Sequence, residues 1–365
     1  MLTIGLVGPL PPPAGGMAMQ CRQLEQLLSG EGMGVRMVQT NAPYRPWWIG
    51  RIRLVRAAFR LLPYLGALWR MTAEVQVVHV LANSGWAWHL FAAPAVWIAR
   101  WRGVPVVVNY RGGDAAKFLR GAARAVKRTL LAADARVAPS GYLRDVFARE
   151  GIDMQVIANV VDLDQFRPNP ERRASGRIHV IVTRNLEALY DIDTALKAFA
   201  LLGERVRGGV LTIAGEGPER LRLAKLAAEL GIGEQVDFAG RLDRNAMAAL
   251  YRDATVMLNP STVDNMPNVI LEAYAAGVPV VSTDVGGIPY IARDGETALL
   301  VPARNPEAIA KAVCAILDDP ALADRLIEQG LREAQRYAWS EIRGLWLGLY
   351  ESLASQRIVA VAEGR

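Results

Sequence analysis

The chain has 365 residues, 52% hydrophobic and 21% charged, which suits two domains of roughly 180 residues and rules out a disordered chain. Two cysteines and three histidines exclude a disulfide framework and a multi-histidine metal site, and the cysteines read as reduced. The net charge of +6 conceals an asymmetry: residues 1–170 carry 20 Lys/Arg against 10 Asp/Glu, whereas 171–365 carry 22 against 26.

In chain order, Leu2–Val7 predicts a strand, followed by the Gly8–Gly16 Pro/Gly loop and a helix over Met17–Ser29. Strand, Gly loop and helix is a phosphate-cradling arrangement, which makes Gly15 and Gly16 candidates. Neither a basic n-region nor a long apolar segment follows Met1, so a cytoplasmic chain without a signal peptide is expected. Residues 44–70 contain Trp47, Trp48 and many arginines, and no acid lies between Glu31 and Glu74. Two readings stand: an amphipathic helix on an anionic membrane surface, or a helix with an arginine-rich solvated face. Residues 75–99 carry no charge, but Asn83-Ser84-Gly85 and Pro94 break them. They predict a buried strand over Val75–Val80, a polar loop and an apolar helix over 86–102, rather than a membrane span.

Val104–Asn109 reads as a parallel strand buried on both faces. Arg136–Ser140 reads as a short strand closing on a helix start, and Val156–Asp162 as the last strand of this half. The polar, Pro-rich stretch 166–176 predicts the domain boundary. Strands follow at 178–183, 210–214, 235–238, 255–259 and 278–282. Helices are expected at 192–202, after Pro218, and at 245–252, 268–276 and 306–317. The tail over 336–358 has a helical apolar stripe. Two doubly wound sheets joined by a linker place ligands at the carboxyl ends of the strands.

The most informative segment is 261–289. Asp264 and Glu272 are eight residues apart, Pro267 suits the first helical position, and Asn265 suits a cap before it. The amides of Asn268 and Val269 would then face an anion at a helix N-terminus. Glu272 would lie about 7 Å further along that helix. A diphosphate on those amides leaves one acid near each end of the ligand, and a carboxylate facing vicinal hydroxyls suits ribose recognition.

With Gly277-Val278-Pro279-Val280-Val281 and Asp284-Val285-Gly286-Gly287-Ile288-Pro289, this segment resembles the donor site of the family 4 retaining glycosyltransferases. Gly15-Gly16, Ser140, Asn159–Asp162, Gly215-Glu216-Gly217-Pro218, Asp294–Thr297 and Tyr337–Ser340 extend the resemblance over nearly the whole chain. It implies an α/β GT-B fold: two Rossmann-like doubly wound domains facing a cleft, with a C-terminal helix crossing back to the first. The acceptor domain would be 1–170 with 338–365, and the nucleotide-sugar domain 171–337. By the same resemblance Glu272 binds the ribose of a UDP- or GDP-sugar. Asp264 and the backbone of Asn265, Met266, Pro267 and Asn268 hold sugar and phosphates, and Gly215 belongs to the donor site. Arg184 clamps the leaving group, and no metal is expected.

The sequence departs from the family pattern twice. A phosphate-clamping Lys is replaced by Leu189-Tyr190-Asp191, and a frequent His by Tyr110-Arg111. Arg111 either contacts the transferred sugar or diphosphate, or pairs with Asp114 to shape its loop. Asp162-Leu163-Asp164 and Asp191-Ile192-Asp193 read as turn and cap acids. The expected activity is sugar transfer to a lipid-linked or polysaccharide acceptor, by an enzyme peripheral on the inner face of the plasma membrane. A GT-B epimerase and a non-catalytic sugar-nucleotide-binding protein are the alternatives. No motif points to nucleic acid.

Overall fold

The computed structural model describes residues 1–12, 15–44, 56–113, 115–169 and 178–362. The chain divides into two compact units, Met1–Asn159 with Ile342–Arg365, and Val160–Glu341. The stretch expected to hold the boundary lies in the second unit as far as Asn169. The rest of it, and the Trp47-Trp48 part of the basic segment, lie outside the described residues.

In the first unit the elements are β1 (Thr3–Gly8), α1 (Gly16–Gly30), β2 (Gly34–Gln39), α2 (Arg56–Met71) and β3 (Val77–Ala82). They are followed by α3 (Ala93–Trp101), β4 (Val106–Tyr110), α4 (Ala115–Ala132), β5 (Ala135–Ala138), α5 (Gly141–Ala148) and β6 (Gln155–Val156). The parallel sheet has the order β2-β1-β3-β4-β5-β6, which reverses direction between β1 and β3. β3 and β4 are buried at every residue, because helices cover both faces of such a sheet. Ser140 caps α5, its Oγ accepting from the Leu143 amide.

Two expectations change here. The helix over 86–102 is divided: a π-helical turn at Trp88–Ala92 precedes α3, and Pro94, which lacks an N–H, sits in the first turn of α3. Among the described residues no helix is long and apolar enough to cross a membrane. The strand expected over 156–162 ends at Val156, because its partner β5 ends at Ala138, ahead of Pro139 and the α5 cap Ser140.

The second unit contains β7 (His179–Val182), α6 (Ile192–Leu202), β8 (Val210–Ala214), α7 (Arg220–Glu229), β9 (Val236–Gly240), α8 (Arg244–Asp253) and β10 (Val256–Asn259). α9 (Asn268–Ala275), β11 (Val280–Thr283), β12 (Leu299–Val301), α10 (Pro306–Asp318) and α11 (Pro320–Gln335) complete it. Its parallel sheet has the order β12-β11-β10-β7-β8-β9, so the reversal falls between β7 and β10. These two strands pair directly, Val256 with Val180 and Met257 with Ile181.

The last helix, α12 (Trp339–Ala362), belongs to the first unit from Ile342 onward. There Trp346 lies 4.7 Å from the His79 ring of β3, and the Tyr350 hydroxyl is 2.6 Å from His79 Nδ1. Asn109 Nδ2 donates to His79 Nε2, so the imidazole's own proton sits on Nδ1 and goes to Tyr350. Burial holds His79 neutral, its pKa lowered to about 3.

Tyr350→Phe keeps the packing and strips His79 of its acceptor, so urea unfolding should show a loss of about 1–3 kcal/mol in this unit. Between pH 6.5 and 3 the unfolded histidine binds a proton that the native one does not, so stability should fall as pH drops through that window. His79→Asn should flatten the slope.

Candidate active site

Both flanks of the second unit's reversal end in polar residues. Thr183 and Arg184 follow β7, and the 260–267 loop follows β10 and leads into α9. Ligands of doubly wound sheets bind at this point, where the diverging loops leave room. Here Arg184 Nη2 meets Asp264 Oδ2 at 2.5 Å, with both side chains only 10% exposed. The guanidinium carbon also lies 3.9 Å from the centre of the Tyr190 ring. A cation stacked on an aromatic face and paired with a carboxylate is held in one orientation. Burial raises the Asp264 pKa, against the pull of Arg184 and the amides of Asn265 and Met266.

Four glycines hold the two arms of this pair. A Cβ on Gly215 would collide with the Arg184 carbonyl oxygen, and one on Gly217 with that of Leu186. The Leu186 amide donates to Glu216 at 3.0 Å, locking the loops together. On the other arm, Cβ atoms on Gly286 and Gly287 would strike the carbonyls of Asp264 and Asn265. Gly286 has φ +58°, and the Gly287 amide donates to the Asp264 carbonyl at 2.8 Å. The glycines of both sequence motifs are therefore explained by close backbone approach. Gly215 acts beneath the arginine loop.

α9 begins at Asn268, where the sequence places it, but Pro267 lies before the helix rather than in its first position. Pro267, at φ −72° and ψ 109°, is its N-cap, and no side chain caps the helix. Asn265 is thus not the cap; its carbonyl is packed on Gly287. The Pro267 carbonyl accepts from Ile270, so Asn268 and Val269 are the first two helical residues, whose amides precede any intrahelical acceptor. Met266 is buried beside them.

One turn further, Glu272 accepts from the Tyr251 hydroxyl at 3.2 Å. That hydroxyl also reaches the Val269 carbonyl at 3.1 Å and Thr183 Oγ1 at 2.6 Å. Tyr251, on α8, is completely buried, with Phe166 edge-on to its ring at 5.5 Å. Burial pushes the Glu272 pKa up to about 7, opposed by the Tyr251 bond and by the charges of Arg184 and Arg244. Arg184 therefore acts electrostatically on both acids. Tyr251 and Tyr190 are members of the site that sequence reasoning passed over. Tyr251 reads as an apolar-face residue of an amphipathic helix, and Tyr190 stands where the family pattern has a lysine.

In the first unit, Gly15 is the N-cap of α1 and Gly16 its first residue, and a Cβ on either meets nothing within 4 Å. Arg111 Nη1 donates to Asn159 Oδ1 at 2.6 Å and approaches Gln20 Oε1 at 3.5 Å. Burial lowers its pKa to about 10. Asp114, its alternative partner, lies outside the described residues. The paired acids have structural roles. Asp162 accepts from the amides of Asp164 and Gln165 and binds Arg244 at 2.5 Å, Asp191 accepts from Thr194 Oγ1 at the start of α6, and Asp193 pairs with Arg222.

Between pH 4.5 and 7 native Glu272 keeps a proton that the unfolded chain has released, so this group makes the native state less stable as pH rises. Glu272→Gln should raise Tm by a few degrees at pH 8 and leave it unchanged near pH 4.5. Gly287→Ala should cost about 1–3 kcal/mol in urea unfolding, because the Asn265 carbonyl must move.

The family model described as Glycosyltransferase Family 4 matches residues 14–165, and the one described as Glycosyl transferases group 1 matches 165–333. A D-inositol 3-phosphate glycosyltransferase of Acidothermus cellulolyticus is 32% identical over 240 residues, covering 60% of this chain and 53% of that protein. The chain thus spans about half the length of the curated relatives of that name. A GDP-mannose-dependent alpha-(1-6)-phosphatidylinositol monomannoside mannosyltransferase of Mycobacterium tuberculosis is 29% identical over 379 residues, 94% of each chain. Sucrose-phosphate synthase from Thermosynechococcus elongatus has the same fold, with a TM-score of 0.76 at 22% identity, covering 98% of this chain and all of that one. With two doubly wound units in sequence, each matched by one half of the family's signature, the chain belongs to the family 4, group 1 glycosyltransferases and has their GT-B fold.

Proposed function

We propose that the chain is a retaining glycosyltransferase that takes a sugar from a UDP- or GDP-sugar and passes it to a lipid-linked or polysaccharide acceptor. The observation that carries this reading is the Arg184–Asp264 pair beside an uncapped helix N-terminus, with a second buried acid, Glu272, one turn along. The donor diphosphate lies on the Asn268 and Val269 amides, where the helix dipole favours negative charge. Glu272 accepts hydrogen bonds from the ribose hydroxyls, and Tyr251 fixes its carboxylate for them. Asp264 and the 265–268 backbone hold the sugar end.

In the transfer, the bond from the anomeric carbon to the diphosphate breaks as the acceptor oxygen bonds that carbon from the same face, and the acceptor proton leaves on the departing diphosphate. Catalysis is then positioning together with stabilisation of charge gathering on the diphosphate. Arg184 and the α9 amides supply that stabilisation without a metal ion, so EDTA should leave turnover unchanged. The names of the two curated relatives support an inositol-containing acceptor class.

Thermal-shift measurements with UDP, GDP, ADP and their sugars test the donor site, since a ligand of the native state raises Tm. One nucleotide should give a shift that Glu272→Gln abolishes. No shift with any of them would overturn the donor reading. In a turnover assay, Arg184→Lys should lower kcat by about 10²–10³. Binding without turnover on any acceptor would instead favour the non-catalytic alternative.

A further inference from the structure

The sheet order of the first unit, with right-handed crossovers, places α2, α3 and α4 on the same face of the sheet, and α3 packs between the other two. Their inner sides supply core residues such as Leu68, Val96 and Val126, each fully buried. Their outer sides are unusual. On α2, Phe59, Leu62 and Trp69 recur at helical spacing, with Leu62 68% exposed. On α3, Trp97 and Trp101 stand one turn apart, and Trp101 is 80% exposed.

These side chains are joined. The Trp69 and Trp101 rings meet edge-on at 5.1 Å, and Arg102 lies over Trp69 at 4.6 Å. Trp97 donates to Thr129 on α4 at 3.2 Å, with Arg128 5.7 Å from its ring. An apolar ridge therefore crosses from α2 to α4 and is edged by guanidinium groups. α4 continues that edge with Arg120, Arg124 and Arg128 exposed on successive turns. No Asp or Glu occurs within α2, α3 or α4.

Soluble helices interleave both charge signs on their exposed sides; α11, for example, carries Asp324 and Glu328 beside Arg325 and Arg332. A surface that joins exposed indoles to unbalanced cations matches the boundary of an anionic bilayer. Indole rings partition into the headgroup layer, and cations gain from the surface potential. Leu62 and Phe59 add apolar bulk that a phosphate backbone would leave in water. We infer that the outer α2–α3–α4 face of the first unit is the surface by which this protein docks on an anionic lipid membrane. This inference does not depend on the donor reading; its α2 residues belong to the 44–70 segment, and α3 and α4 carry the surface beyond it.

The test is co-sedimentation of the full chain with vesicles of phosphatidylcholine alone and of phosphatidylcholine mixed with phosphatidylglycerol. Wild type should pellet only with the mixed vesicles, show blue-shifted tryptophan emission there, and release in high salt. Leu62→Ser with Trp101→Ser removes apolar contact at two exposed positions, and Arg120→Glu with Arg124→Glu reverses charge. Each pair should weaken vesicle binding at least about tenfold while thermal unfolding and any nucleotide-induced shift stay at wild-type values. Absence of wild-type binding, or binding by both variants as tight as that of the wild type, would overturn the inference. So would a surface that binds oligonucleotides in preference to vesicles, or that instead forms a Trp101-dependent dimer by light scattering.

Discussion

The ion pair between Arg184 and Asp264 ties the end of β7 to the loop after β10 across the point where the second sheet reverses. It is nearly dry, so its geometry is set by what surrounds it rather than by water. Removing one partner of such a pair leaves a buried charge uncompensated, a cost of about 3–5 kcal/mol. The chain meets that constraint with backbone. Gly215 and Gly217 let the arginine loop descend, Gly286 and Gly287 let the aspartate loop descend, and Tyr190 closes the open face of the guanidinium.

The electrostatic consequence extends to Glu272. One guanidinium serves two buried acids, and it is committed to Asp264. Glu272 is left with a phenol and a more distant share of the Arg184 field, and burial lifts its pKa to about 7. In the proposed complex this lessens repulsion of an incoming diphosphate, because the second acid is not fully charged at neutral pH. The cost of ionising Glu272 is recovered when ribose hydroxyls replace lost hydration. The uncapped start of α9 supplies the positive end of the arrangement without another side chain.

Much of this was legible in the sequence because it rests on local rules. Val210–Ala214 and Ile192–Leu202 were placed to the residue, since a β-branched run and a 3.6-residue period leave little choice. Spacing and family resemblance single out Asp264, Glu272 and Arg184 as candidates, and the structure unites Arg184 with Asp264 at one strand end. What the sequence hid was tertiary. Pro267 reads as a first helical residue with Asn265 as its cap, but the Asn265 carbonyl packs on Gly287 and Pro267 is the cap. Tyr251 could not be assigned because nothing in α8 shows that its hydroxyl reaches β7 and α9. The short β6 likewise depends on where its partner β5 ends.

Amide hydrogen exchange with and without the nucleotide that stabilises the protein locates the ligand on the chain. Protection should concentrate in 264–272 and 184–190, where the α9 amides and the arginine loop meet the donor. Protection confined to the first unit, or absent from 264–272, would contradict that placement.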